Sequence, residues 1–140
     1  MKKFKAVLMG ICLLAMVGTQ PAFAANQEFN FDFDSLYQKA SSDPATKSDS
    51  EQNWYISFEH YNKYGQRNTM SSSNIFGCRI HSDYDNSTPD RYHTFSNYVN
   101  NYRMPYQRYV ASGTDMYLRG QKDDDSKSGA ELLISGLFCP

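Results

Sequence analysis

Apolar and polar residues alternate along several short segments of the chain, and this period of two most constrains its fold. Residues 29–33 carry Phe at every second position, and residues 54–58 carry Trp, Ile and Phe in the same way. Successive side chains of a β-strand point to opposite faces, so each segment predicts a strand with one buried face. Further strands are predicted over 74–80, 114–120 and 130–139, the last apolar on both faces and therefore expected to be covered on both sides.

The composition favours the same fold class. The chain has 11 Tyr, 9 Phe and 1 Trp, and aromatic residues are enriched in strands. Short strands separated by polar turns predict a small antiparallel β-sandwich. Residues 95–102 leave an alternative open, because their apolar spacing would also suit one or two helical turns, although the asparagines among them are poor helix formers. Residues 40–53 are predicted to form a solvated loop.

The first 24 residues have the pattern of a secretory signal peptide. Three lysines precede an apolar run, and Ala22-Phe23-Ala24 is a cleavage motif. The run of about 12 residues is shorter than the roughly 20 needed to span a bilayer. We therefore expect a signal-peptide helix over 1–24, an N-terminal strand and polar loop over 25–53, and a β-sandwich core over 54–140. The mature protein should be secreted, with no stable membrane span and a surface-associated location left open.

Two cysteines remain after removal of the signal peptide, Cys78 and Cys139. An even pair in an exported chain predicts a disulfide. It would close a loop of about 62 residues and stabilise the fold by roughly 4 kcal/mol.

The net charge argues against nucleic acid as a partner. Loss of the three signal-peptide lysines leaves 11 of 14 basic residues against 15 acidic ones, a net charge of −4. Non-specific nucleic-acid binding takes its affinity from neutralised phosphates, which a mildly acidic protein supplies poorly.

No strong catalytic or metal-binding motif is present. The stretch Asp83-Tyr84-Asp85 resembles the start of a calcium loop but lacks the later Gly and Glu, so calcium binding there is left open. The spacing of His60, His81 and His93 fits no standard zinc pattern. The sequence contains no nucleophile elbow. We therefore expect a non-enzymatic protein without a metal or another cofactor.

The one segment that suggests binding is rich in tyrosine and arginine. Tyrosine offers a large contact area at a low entropy cost, and arginine offers forked donors for phosphate or carboxylate groups. Such residues also anchor protein interfaces. The candidate binding residues are Tyr92, Tyr98, Tyr102, Arg103, Tyr106 and Arg108. They could contact a cell-wall glycan, an anionic lipid headgroup or a protein partner, or they could simply cover a thin core.

The order of these segments resembles a family of small secreted Gram-positive proteins related to the lactococcin-like bacteriocins. The matching pieces are Phe29-Asn30-Phe31, Trp54-Tyr55-Ile56, the run from Tyr109 to Arg119, and Ser135 to Pro140. The cysteine pair and Phe138, where Trp is usual, depart from that pattern. The resemblance implies a secreted β-sandwich and a bacteriocin-like or envelope-binding role. The alternative is a secreted structural or protein-interaction domain without antibacterial activity.

Overall fold

The computed structural model describes residues 26–60, 70–82 and 91–140, except for the side chains of residues 59 and 60. None of these residues is helical, and all the strands among them belong to two antiparallel sheets. The strands are β1 (Gln27–Phe33), β2 (Lys39–Ser41), β3 (Ala45–Thr46), β4 (Asn53–His60), β5 (Phe76–Ser82), β6 (His93–Phe95), β7 (Val99–Pro105), β8 (Asp115–Lys122) and β9 (Leu132–Cys139).

The two sheets pack face to face as a β-sandwich. Sheet I has the order β1-β9-β4-β7, and sheet II has the order β2-β8-β5-β6, with β3 also paired with β8. Sequence neighbours are therefore often separated in space, and β9 forms the centre of sheet I between β1 and β4. The predicted all-β sandwich is confirmed.

Aromatic rings from both sheets form the centre of the core. Phe76 of sheet II lies 5.1 Å from Phe58 and 6.3 Å from each of Phe31 and Phe33, measured between ring centroids. These four side chains are almost completely buried. Gly120 permits this packing, because a Cβ atom there would lie only 2.5 Å from the Phe31 ring. The alternation that predicted β1 and β4 therefore reflects their burial against sheet II.

Two segments differ from their predicted structure, and in a third the structure decides between two alternatives. Residues 95–102 contain the end of β6 and the start of β7, because those strands pair with β5 and β4. The expected solvated loop at 40–53 contains β3 and the fully buried Lys47. The outer face of β9 is not fully covered, since Leu137 remains 40 % exposed.

The predicted disulfide between Cys78 and Cys139 is wrong. The structure does not join the two sulfurs, because the residues belong to different sheets and only Cys78 points into the space between those sheets. Cys78 is fully buried in the core from β5, whereas Cys139 lies on the outer side of sheet I, opposite Tyr55. A disulfide requires Cα atoms within about 7 Å and Cβ atoms that point toward each other. Packed sheets lie about 10 Å apart, and the Cys139 side chain points away from sheet II, so the two side chains do not point toward each other across the sandwich.

Two predictions concern residues outside the described ranges. The signal-peptide helix is predicted over 1–24, and the candidate calcium loop begins at Asp83.

Candidate ligand-binding site

The sandwich does not gather the six tyrosine and arginine residues onto one surface. Tyr106 is buried in the core, where its ring centroid lies 5.4 Å from the Lys47 ammonium. Tyr102 packs edge-on against Phe95. Arg103 lies in β7 opposite Tyr55, and Arg108 is exposed in the loop after β7.

The remaining two residues of that set lie on the outer faces of different sheets. Tyr98 lines a groove on sheet I, and Tyr92 lines a cleft on sheet II.

The cleft on sheet II is the strongest candidate for a site. It encloses about 270 Å³, and we call it the arginine cleft. Its lining residues are Lys39, Arg79, Tyr92, Arg119, Gln121, Asp123 and Asp124. Strand geometry places them there, because Arg119 and Gln121 alternate with the buried Leu118 and Gly120 along β8. Arg79 likewise lies between the buried Cys78 and Ile80 in β5.

Two like charges face each other at the centre of the arginine cleft. Arg79 of β5 is the direct cross-strand partner of Arg119 of β8. Directly opposite residues have Cβ atoms about 5 Å apart, so like charges there destabilise the pair. Within the described part of the chain, neither guanidinium forms a salt bridge with a carboxylate. Both side chains are half-buried. An anion placed between them would therefore remove a repulsion that the described residues leave in place.

Tyr92 forms one wall of the arginine cleft and lies directly on β5. A Cβ atom at Gly77 would lie 1.6 Å from the Tyr92 hydroxyl oxygen, so only glycine allows this position. Burial, followed by a hydrogen bond with Asp123, raises the pKa of Tyr92 well above its usual range. The Tyr92 hydroxyl therefore stays protonated and keeps its role as a hydrogen-bond donor at physiological pH.

The two carboxylates of the cleft belong to the loop after β8. The Asp123 carboxylate accepts a hydrogen bond of 2.9 Å from the backbone N–H of Asp125. Asp124 is exposed and accepts a hydrogen bond of 3.4 Å from the side-chain amide of Gln121. Asp123 is held by its own loop and Tyr92, and both carboxylates lie beyond salt-bridge distance of the guanidinium groups. The cleft therefore has a cationic centre and an acidic rim.

Among the residues that the structure describes, the other clusters of titratable groups do not form a site of this kind. His81 stacks on Tyr117, and His93 lies edge-on to Trp54, so the two histidines face opposite sides of sheet II. The carboxylates of Asp32, Asp34 and Glu131 come within 4.8 Å of one another, but both aspartates are exposed. Exposed acidic groups of this kind are common without a bound ion and do not by themselves define a metal site.

Sequence reasoning missed Arg79 and Arg119, although part of the signal was present. The alternation over 114–120 placed Arg119 on the face opposite Met116 and Leu118, and the structure confirms this. The pairing of Arg119 with Arg79 depends on the register of β5 and β8. That register is set by packing and not by any local motif.

Comparison with known proteins identifies no relatives. None of the described residues forms a helix that could cross a membrane. No protein-family model, curated protein or solved structure matches the chain.

Proposed function

We propose that this protein is an exported, non-enzymatic module that binds an anionic component of the bacterial envelope through the arginine cleft. The observation that carries the proposal is the cross-strand pair of Arg79 and Arg119, which has no carboxylate partner in the described residues. Lys39 adds a third cation on the neighbouring strand. Forked guanidinium donors match phosphate and carboxylate groups in shape and charge. The signal-peptide pattern and the resemblance to secreted Gram-positive proteins support the envelope as the place of binding.

The test measures co-sedimentation of the protein with purified Gram-positive cell walls. Arg79→Gln combined with Arg119→Gln should weaken binding at least tenfold, because a hydrogen bond to a charged group contributes about 1.5–3 kcal/mol. Binding of the wild type should fall with added salt, since the interaction is electrostatic. Walls stripped of their phosphate and carboxylate polymers should retain little of the protein.

A matched control removes the same charge elsewhere. Arg103→Gln combined with Arg108→Gln changes two exposed arginines that do not line the arginine cleft, and this pair should leave wall binding near the wild-type value. If Arg103→Gln with Arg108→Gln weakened wall binding more than Arg79→Gln with Arg119→Gln, the arginine cleft would not be the binding site. That result would favour the tyrosine and arginine segment predicted from the sequence.

Scoring growth in the same incubations separates attachment from antagonism. Inhibition of a related strain would support a bacteriocin-like role, whereas sedimentation without inhibition would support envelope binding alone. Absence of both would overturn the proposal and favour a structural or protein-interaction domain.

A further inference from the structure

The outer face of sheet I carries a groove that is separate from the arginine cleft. Two depressions of about 450 and 430 Å³ adjoin each other there and share Ser57, Asn100 and Leu137. We call them together the amide groove. It runs over β9 and β4 toward β7, and it includes the point where the pairing of β4 with β7 is irregular.

That irregularity is a β-bulge. Ile56 pairs with Tyr102, but Phe58 pairs with Val99, so Ser57 faces both Asn100 and Asn101. The Ser57 hydroxyl accepts a hydrogen bond of 2.7 Å from the backbone N–H of Asn101 and donates one of 3.3 Å to the Asn100 side-chain oxygen. Asn101 has a φ of 49°, a conformation that asparagine tolerates better than most residues. Bulges of this kind are common beside functional sites, where they redirect side chains.

The bulge leaves amide groups available to a ligand. With its oxygen bonded to Ser57, the Asn100 side chain keeps both N–H donors. The side-chain amides of Asn101 and Asn26 have no hydrogen-bond partner among the described residues, and both line the groove. Three amides, each able to donate hydrogen bonds and two also able to accept them, therefore converge on one depression.

The groove is also free of charge and partly apolar. None of its lining residues is charged, although 21 % of the chain is. Tyr55 and Tyr98 contribute aromatic side chains, and Tyr98 and Leu137 are 45 % and 40 % exposed. Neutral amides beside aromatic and aliphatic surfaces suit a ligand that has hydroxyl groups at its edges and C–H groups on its faces.

We infer that the amide groove binds a neutral oligosaccharide. The sugar hydroxyls would exchange hydrogen bonds with Asn26, Asn100 and Asn101, and the C–H faces of the rings would pack on Tyr55, Tyr98 and Leu137. The inference does not depend on the arginine cleft, which lies on the other sheet.

Cys139 provides the readout, because it lines the amide groove and is only partly buried. Burial raises the pKa of this thiol, so alkylation by iodoacetamide is followed at a mildly alkaline pH by peptide mass spectrometry. The probes are tetramers of N-acetylglucosamine, glucose and mannose at millimolar concentration. At least one of them should slow alkylation of Cys139 threefold or more. The fully buried Cys78 reports any loss of folding in the same sample.

Asn101→Gly is the test variant, because glycine keeps the positive φ and removes only the amide. It should reduce the protection of Cys139 at least threefold. Asn30→Ala on β1 removes an exposed amide outside the groove and should leave protection unchanged. Arg79→Gln should also leave the protection of Cys139 unchanged, because Arg79 lies in the arginine cleft on the other sheet. A failure of wall binding can therefore be distinguished from a failure of sugar binding in the amide groove. Lack of protection by all three sugars, or equal protection in Asn101→Gly, would overturn the inference.

Discussion

At the residue scale, the arginine cleft depends on a contact between Tyr92 and a glycine. The Tyr92 ring occupies the position that a side chain at residue 77 would need. Gly77 is buried even though it faces outward from β5, because Tyr92 covers it. The contact fixes the Tyr92 hydroxyl beside Asp123 and so closes one end of the cleft.

Replacement of Gly77 by alanine should displace Tyr92 and lower the free energy of unfolding by about 1–3 kcal/mol, as expected for overpacking. Combining Gly77→Ala with Tyr92→Ala should remove most of that cost, because the clashing ring is gone. Urea denaturation of the two single variants and the double variant gives the coupling energy. Gly129→Ala is the control, since a Cβ atom there has open space around it. Additive effects of the two substitutions would contradict the proposed contact.

At the element scale, a single side chain ties the loop after β7 to the beginning of β4. The Gln52 side chain accepts a hydrogen bond of 2.9 Å from the Val110 backbone N–H and donates one of 3.0 Å to the Val110 carbonyl. The Gln52 carbonyl also accepts a hydrogen bond of 3.1 Å from the Tyr106 backbone N–H. These hydrogen bonds continue the pairing of the two segments beyond the ends of β4 and β7, in the way that backbone hydrogen bonds pair two strands.

Gln52→Glu should therefore destabilise the sandwich by about 1–3 kcal/mol. The introduced carboxylate can still accept the hydrogen bond from the Val110 N–H, but it has no proton to donate to the Val110 carbonyl. The measurement is the urea midpoint near neutral pH. Acidification should recover part of the loss, because protonation of the introduced carboxyl group restores a donor. Gln107→Glu introduces the same charge on an exposed neighbour and should have little effect. Equal urea midpoints for Gln52→Glu and Gln107→Glu would show that the hydrogen bonds between Gln52 and Val110 do not stabilise the fold.

The strands themselves were largely predictable from the sequence, whereas their pairing was not. Alternation located β1, β4 and β8 because each buries one face in the core. The short strands β2 and β3 were missed, since two or three residues are too few to show a period. The register of β8 against its neighbours could not be read from the sequence either, because its partners β2 and β5 lie far away along the chain. The arginine cleft depends on that register, so composition and motifs alone indicated only its Tyr92 wall.

At the scale of the whole molecule, the sandwich is held by its aromatic core without a covalent link between the sheets. An even number of cysteines suggested a disulfide, because the sequence shows how many cysteines there are but not the face of the sheet on which each one lies. In the structure the two cysteines belong to different sheets, and Cys78 points into the core whereas Cys139 points outward from sheet I. Buried Phe, Trp and Ile side chains supply the stability instead.

The stability of the folded protein should therefore be independent of reductant. Thermal unfolding with and without a phosphine reductant should give the same Tm, because no bond between Cys78 and Cys139 is available to break. Alkylation of the native protein should label Cys139 slowly and Cys78 only after unfolding, since Cys78 is fully buried. Cys139→Ser should keep the wild-type Tm within about 2 °C, whereas loss of a disulfide closing so long a loop would cost several kcal/mol and lower Tm by more than about 10 °C. A reductant-dependent Tm would show that the two sheets are joined after all, and that β9 reaches the core in a different orientation.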